Sequence, residues 1–237
     1  MTFIETYLDT LTQLDLDAYA TPQLAEKFQV LYENLVAFNS HTNLTAITDE
    51  AGVILRHFAD SLTAAPYIGK RPLKIMDVGC GGGFPTLPLA VARPDCRFVA
   101  LDSTAKKLNF VAEAADLLSL PVTTLPARAE EVAITPAHRE QYDLVVSRAV
   151  ARLPMLAELC LPFVKMGGRF VALKGADGET ELREAENAIA KLGGRLISKS
   201  SFTLGDAGER VILEIEKVRP TPAAYPRAFA KIKKAPL

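Results

Sequence analysis

The stretch IMDVGCGGGFPTLPLA, residues 75–90, sets a carboxylate, a glycine cluster and an aromatic ring between an apolar run and a helix-competent segment. Gly79, Gly81 and Gly83 let the backbone approach a flat or extended ligand. Asp77 can accept a hydrogen bond or attract a positive charge. Three ligand types suit a loop of this kind. A nucleoside triphosphate needs Gly-Lys-Ser/Thr for its terminal phosphates and magnesium, and GCGGGFPT has no lysine. A dinucleotide needs GxGxxG, whose third glycine lets helix and strand pack closely; that position is Phe84. An acid followed by GxGxG fits an adenosyl ligand without phosphate. S-adenosylmethionine, with an ammonium and a sulfonium, has that chemistry. Asp102 ends the next apolar run, RFVALD, with Ser103 beside it. A carboxylate there can accept both ribose hydroxyls, as it does in dinucleotide sites. Asp102 therefore supports an adenosyl ligand without choosing between the two. The plain alternative for the loop is a tight connection with no ligand.

Two cations close later apolar runs. Arg148 follows YDLVVS and can contact guanine, a phosphate or a cofactor carboxylate, or make a structural salt bridge. Lys174, at the end of RFVALKG, either contacts nucleic acid or is solvated. His57 and Asp60 lie three apart and share one helical face; His57 reads as a packed, hydrogen-bonded residue rather than a catalytic one. Asn43 and Thr45 order a connection between helices.

The elements that position these groups follow from periodicity. Residues 1–38 read as helices, with Leu24, Phe28, Leu31, Leu35 and Phe38 on one face. FNSHTNLTAITDE breaks that pattern, and Thr48 or Asp49 caps a helix containing VILRHFADSLTAAPYI. LKIMDVG lacks period-two polarity, as a buried parallel strand does. A helix follows from about Pro85. RFVALD, VTTLPA, YDLVVSRA and RFVALKG read as further strands. STAKKLNFVAEAADLLSL is a helix with Leu108, Val111, Ala115 and Leu118 inward. DGETELREAENAIAKLGG is a polar-faced helix ending at Gly193 and Gly194. RLISKSSFTL and ERVILEIEKV read as a closing antiparallel pair. Strands alternating with helices imply a doubly wound α/β sheet. The expected regions are a helical extension over residues 1–70, an α/β domain over 71–218 and a basic tail over 219–237.

Composition bounds the reading. Of the 237 residues 49% are hydrophobic and 23% charged, enough for a core. No apolar run reaches membrane-spanning length and MTFIETYLDT lacks signal-peptide features. Cys80, Cys96 and Cys160 lack metal-ligand spacing, so no metal is expected and a reduced, cytoplasmic protein is. Net charge is −1 but unevenly spread. Residues 1–40 hold six acids and one base, whereas Lys217–Leu237 holds six bases and no acid. The tail is either simply solvated or contacts phosphates.

NLTAI, HFADSL, DVGCGGGFPTLPLA, LDSTAKKLNF, RAEE, YDLVVSRAVA, GGRFVALKG and YPRAFAKIKKAPL occur in that order. In this the chain resembles the bacterial 16S ribosomal RNA guanine-7 methyltransferases, also called the glucose-inhibited division protein B family, over nearly all of residues 35–237. The resemblance implies a class I S-adenosylmethionine-dependent methyltransferase (Rossmann-like) fold. It also implies methyl transfer to nitrogen-7 of a guanine in the 530 loop of 16S rRNA, with the small ribosomal subunit or an assembly intermediate as partner. Carried over by position, Gly79 and Phe84 match cofactor-binding loop residues, Ala129 and Glu130 the pair beside the adenine, and Arg148 a further binding residue at the active site. Lys174, Arg227, Lys231, Lys233 and Lys234 are the expected RNA contacts. The family more often has a Gly/Pro-rich link after YPR; here it is AFAKI.

The remaining residues agree with that chemistry. Nitrogen-7 carries an in-plane lone pair and needs no deprotonation, so no general base is required. SRAVARLP lacks the Asp/Asn/Ser-Pro-Pro-aromatic stretch of amino-group methyltransferases. None of the three cysteines is placed as a nucleophile. A methyltransferase acting on another RNA or a small molecule, an NAD(P)-binding oxidoreductase and a non-catalytic RNA-binding module stay open at this level.

Overall fold

The computed structural model describes residues 1–237. Helix α1 (Phe3–Gln13) opens with a capping box in which Thr2 and Glu5 satisfy each other's backbone N–H. It buries Phe3, Tyr7 and Leu11 against Ala25, Phe28, Leu31 and Leu35 of α2 (Pro22–Thr42). Thr21 caps α2, which ends where Asn43 turns left-handed at φ 49°. Asp49 accepts from the Gly52 N–H and caps α3 (Glu50–Val53).

An ordinary helix was expected to continue from there. Instead Ile54–Ala59 forms a π-helical turn before α4 (Asp60–Leu62), and the Asp60 N–H donates to the Leu55 carbonyl five residues back. Apolar spacing cannot distinguish this wider turn from an α-helix, because both bury one face. Such turns recur at functional sites.

Seven strands form one sheet: β1 (Lys74–Val78), β2 (Arg97–Asp102), β3 (Val122–Pro126), β4 (Tyr142–Arg148), β5 (Val164–Lys174), β6 (Gly194–Thr203) and β7 (Glu209–Lys217). Their order is β3-β2-β1-β4-β5-β7-β6. The first five are parallel. The closing strands pair antiparallel, and β7 inserts between β5 and β6.

Along β1 the faces alternate. Ile75 joins an apolar cluster with α1, α2, α5 (Thr86–Ala92) and α6 (Ala105–Leu117), whereas Met76 and Val78 join α8 (Leu153–Cys160) and α9 (Gly178–Lys191) on the other face. Residues such as Phe28, Phe98 and Phe170 are fully buried, each contributing about 1.5–3 kcal/mol. The N-terminal helices share one continuous core with the sheet. The short α7 (Ala129–Val132) follows β3.

The chain ends in α10 (Phe229–Lys234), which buries Ile232 on the α8 face of the sheet. The α5 helix begins at Thr86 rather than Pro85, and the Thr86 N–H and Oγ1 both donate to Asp77.

Candidate active site

Strand order reverses between β1 and β4, and a crevice opens there at the carboxyl ends of the strands. The glycine loop leaves β1 into it. Gly79 and Cys80 donate to the Leu101 carbonyl at 2.8 and 3.1 Å, which ties the loop to β2. Gly79 has φ +74°, and an added Cβ would lie 2.4 Å from Val150. Gly81 has φ +55° with open space where a Cβ would stand. Its N–H donates to Asp102 at 3.0 Å, and Asp102 also accepts from the Thr104 N–H at 2.8 Å. The Asp102 carboxylate thus serves backbone N–H groups of the glycine loop and of the start of α6.

Two cavities flank this loop. One, of about 180 Å³, is lined by Asp102, Ser103, Ala129 and Glu130. The other, of about 350 Å³, is lined by Gly81, Phe84, Lys107 and Arg148. Gly79, Asp102 and Val150 line both. An adenosyl ligand fits this pair: the open space at Gly81 is the room a Cβ would fill, and Asp102 spans the junction.

Asp77 and Gly83 behave differently from the other predicted loop residues. Neither lines either of these two cavities. Asp77 is 1% exposed beneath the loop, with Oδ2 accepting from Thr86 and Oδ1 unpartnered. Burial pushes its carboxyl up to about 7, against the hydrogen bonds from Thr86. Gly83, at φ +84°, packs against Leu87 and Val111; its role is close approach of backbone to α5 and α6.

The far wall is made of side chains. The His57 ring stacks on Phe84 with centroids 4.6 Å apart at 15°. The Arg148 guanidinium lies 5.6 Å from the centroid of the same ring. His57 Nε2 is 2.8 Å from Thr45 Oγ1. Burial, with the Arg148 charge second, holds His57 down to about 4. Asp60, 6% exposed, accepts from Arg148 at 2.7 Å and from Arg210 at 2.8 Å. Arg148 Nη1 also donates to the Arg56 carbonyl at 3.0 Å. Arg148 therefore makes the salt bridge that its sequence left open, and it does so facing the cleft. A further cavity of about 420 Å³, lined by Arg56, Asp60, Arg148, Lys174 and Arg210, adjoins the Gly81–Phe84 cavity at His57, Arg148 and Ala149.

Lys174 is neither solvated nor free. It is 8% exposed, pairs with Glu181 at 2.7 Å and donates to the Ala151 carbonyl at 2.8 Å. Glu181 in turn accepts from the Leu153 N–H at 2.7 Å, so the pair holds the loop after β4. Arg227 is likewise committed: its N–H, Nε and Nη2 reach Glu158, whose side chain is fully buried. Packing of the tail on α8 turns this charge inward. Lys231, Lys233 and Lys234 are exposed. Burial raises the Cys80 and Cys160 thiols well above their ordinary range, which disfavours a thiolate nucleophile.

Sequence reading missed Arg210, Arg56, Val150 and Phe229. Arg210 and Arg56 look like ordinary surface charges beside apolar runs, and only folding brings Arg210 to Asp60, 150 positions away. No helix is long and apolar enough to cross a membrane, and no cluster of three metal-ligating side chains is present.

Comparison with known proteins agrees with this geometry. Residues 24–210 match the family described as GidB: rRNA small subunit methyltransferase G. The chain is 48% identical over 216 residues to ribosomal RNA small subunit methyltransferase G of Staphylococcus carnosus, with 90% of each chain covered. It is 46% identical over 215 residues to the protein of that name from Halalkalibacterium halodurans, again with 90% of each covered. The crystal structure of M. jannaschii TYW2 in complex with AdoMet superposes with a TM-score of 0.55 at 17% identity, over 68% of this chain and 76% of that one. That likeness shows the fold, an α/β class I methyltransferase sheet. With a glycine-lined crevice at the β1/β4 switch point and a family match across most of its length, the chain belongs to the GidB family of small-subunit rRNA methyltransferases.

Proposed function

We propose that the chain transfers a methyl group from S-adenosylmethionine to nitrogen-7 of a guanine in the 530 loop of 16S rRNA, on the small ribosomal subunit or an assembly intermediate in the cytoplasm. One observation carries the reading. Arg148 lines both the glycine-loop cavity and the neighbouring arginine-lined cavity, so donor and acceptor chambers meet at one guanidinium.

S-adenosylmethionine, when bound, supplies an electrophilic methyl group on its sulfonium. The chain's own residues supply position and charge. Asp102 would accept the ribose hydroxyls, and Ser103, Ala129 and Glu130, which line the same cavity, would enclose the adenine. Phe84, held by contact with His57 and Arg148, forms the wall beside the reacting centre. His57, held down to about 4, is neutral at pH 7 and adds no repulsion toward a sulfonium. Lys107 and Arg148, which line the same cavity, would attract the donor carboxylate.

Arg148 commits only Nη1 within the protein. Its Nε and Nη2 donors are available for guanine O6 or a phosphate while nitrogen-7 stays free to attack. Because that nitrogen already carries its lone pair, alignment and electrostatics suffice. Arg56 and Arg210 extend positive charge along the acceptor chamber, and Lys231, Lys233 and Lys234 add sequence-independent phosphate contacts.

Deleting the gene and treating 16S rRNA with borohydride and aniline tests the reading, because the chain cleaves at 7-methylguanine. The expected result is loss of one cleavage in the 530 loop, restored by the wild-type gene. Persistence of that cleavage in the deletion strain overturns the substrate.

A further inference from the structure

We propose that Phe229, on the C-terminal tail, is the adenine-contacting wall of the donor site, which makes the tail part of the donor-binding machinery. The proposal rests on reading this cleft as an adenosylmethionine site. Phe229 lines the same 180 Å³ cavity as Asp102 and Glu130, although it lies about 100 positions further along the chain. It is the one aromatic ring in that lining; the other apolar groups are aliphatic. Purines stack on aromatic faces, and an aliphatic wall lacks the π surface for that contact. The tail therefore brings to the adenine end a chemistry that the strands and their loops do not provide.

The ring is held in place from several sides. Before it, Arg227 binds the fully buried Glu158 through its backbone N–H at 2.8 Å and its Nη2 at 2.6 Å. After it, Ile232 is fully buried, and the Ala235 carbonyl accepts from Arg227 Nη2 at 3.0 Å. The Arg128 guanidinium lies 5.5 Å from the centroid of the ring, next to Ala129 and Glu130 of the cavity wall. Displacing the tail segment that carries the ring would break the Arg227–Glu158 ion pair, whose carboxylate is fully buried. The ring itself is only half-buried, with the cavity before it.

Calorimetric titration of the full chain with S-adenosylhomocysteine tests this. Phe229→Ala is expected to weaken binding about tenfold, and Phe229→Leu, which keeps apolar bulk without a π face, about threefold. Phe229→Tyr keeps the ring and is expected to stay within about twofold of wild type. Wild-type affinity in Phe229→Ala overturns the proposal. If that variant does not fold, the Leu and Tyr variants decide: equal affinities overturn it, and tighter binding by Tyr supports it. A wild-type chain that binds no S-adenosylhomocysteine fails differently, since it removes the donor-site reading itself.

Discussion

The two walls of the cleft are built by opposite means. The loop wall, Gly79–Phe84, is one contiguous stretch whose shape is set by backbone: three glycines at positive φ and N–H hydrogen bonds donated to the Leu101 carbonyl and the Asp102 carboxylate. The far wall is a cluster of side chains. His57 and Asp60 come from the π-turn region, Arg148 from the end of β4 and Arg210 from the start of β7. The first wall is intolerant of side chains, because Gly79, Gly81 and Gly83 have positive φ and a Cβ on Gly79 or Gly83 would meet Val150 or Leu87. The second is intolerant of removed charge, because Asp60 serves two guanidiniums at once.

The loop wall breaks hardest. Gly79→Asp sets a side chain against Val150 at a left-handed φ. Strain and overpacking of about 2 kcal/mol each predict roughly 1000-fold weaker S-adenosylhomocysteine binding. Wild-type affinity in that variant would mean that Val150 yields freely. On the far wall, Arg148→Ala is expected to lower kcat/KM about 100-fold with the fold retained, since Asp60 keeps Arg210. Near-normal turnover would reduce Arg148 to its salt bridge.

Asp60→Ala sharpens the contrast. It leaves two guanidiniums without their shared anion and is expected to cost about 3 kcal/mol in urea unfolding. Arg227→Ala, which strands the buried Glu158, is expected to cost a similar amount; an unchanged unfolding midpoint would show that the tail is not anchored there.

The walls also oppose each other in pH. Asp77 is raised to about 7, so the folded state holds its proton more tightly than the unfolded chain. Its contribution is present at low pH and lost as pH rises from about 4 to about 7. His57 is lowered to about 4 from 6.5. Its contribution is present above 6.5 and lost as pH falls toward 4. The two slopes nearly cancel between pH 4 and 6.5. Asp77→Asn, which keeps an acceptor for Thr86, is expected to expose the His57 slope, with stability falling relative to wild type by about 1.4 kcal/mol per unit as pH drops. His57→Gln should show the reverse slope, and parallel wild-type and variant curves would contradict both assignments. The smallest effect is expected from combining Lys231→Ala, Lys233→Ala and Lys234→Ala. Melting stays unchanged, and the salt dependence of RNA binding loses a slope of about 2.

The loop wall was legible because its determinants are local. Glycine spacing, Phe84 in place of a third glycine and Asp102 at the end of the next strand are all short-range patterns. The motif nevertheless overstated two residues: Asp77 and Gly83 support the loop from beneath rather than facing the cavity. At the far wall the sequence offered His57 and Asp60 as a pair on one helical face and Arg148 apart from them, with a salt bridge of unnamed partner left open for the arginine. It offered no sign of Arg210. Lys174 and Arg227 looked like solvent or RNA contacts, and burial against Glu181 and Glu158 turned them inward.

By itself the sequence determined the strand–helix alternation, the adenosyl-type loop and the family, because each depends on residue type and short spacing along the chain. The tertiary structure decided which charges face the cleft, that a π turn presents His57 beside Asp60, and that the tail brings Phe229 to the cavity lined by Asp102 and Glu130. Those outcomes depend on which buried carboxylate each cation meets, and the partners lie as far as 150 positions apart. A charge far along the chain has no fixed neighbour until packing removes it from water, and the cost of leaving it unpaired there then selects its partner.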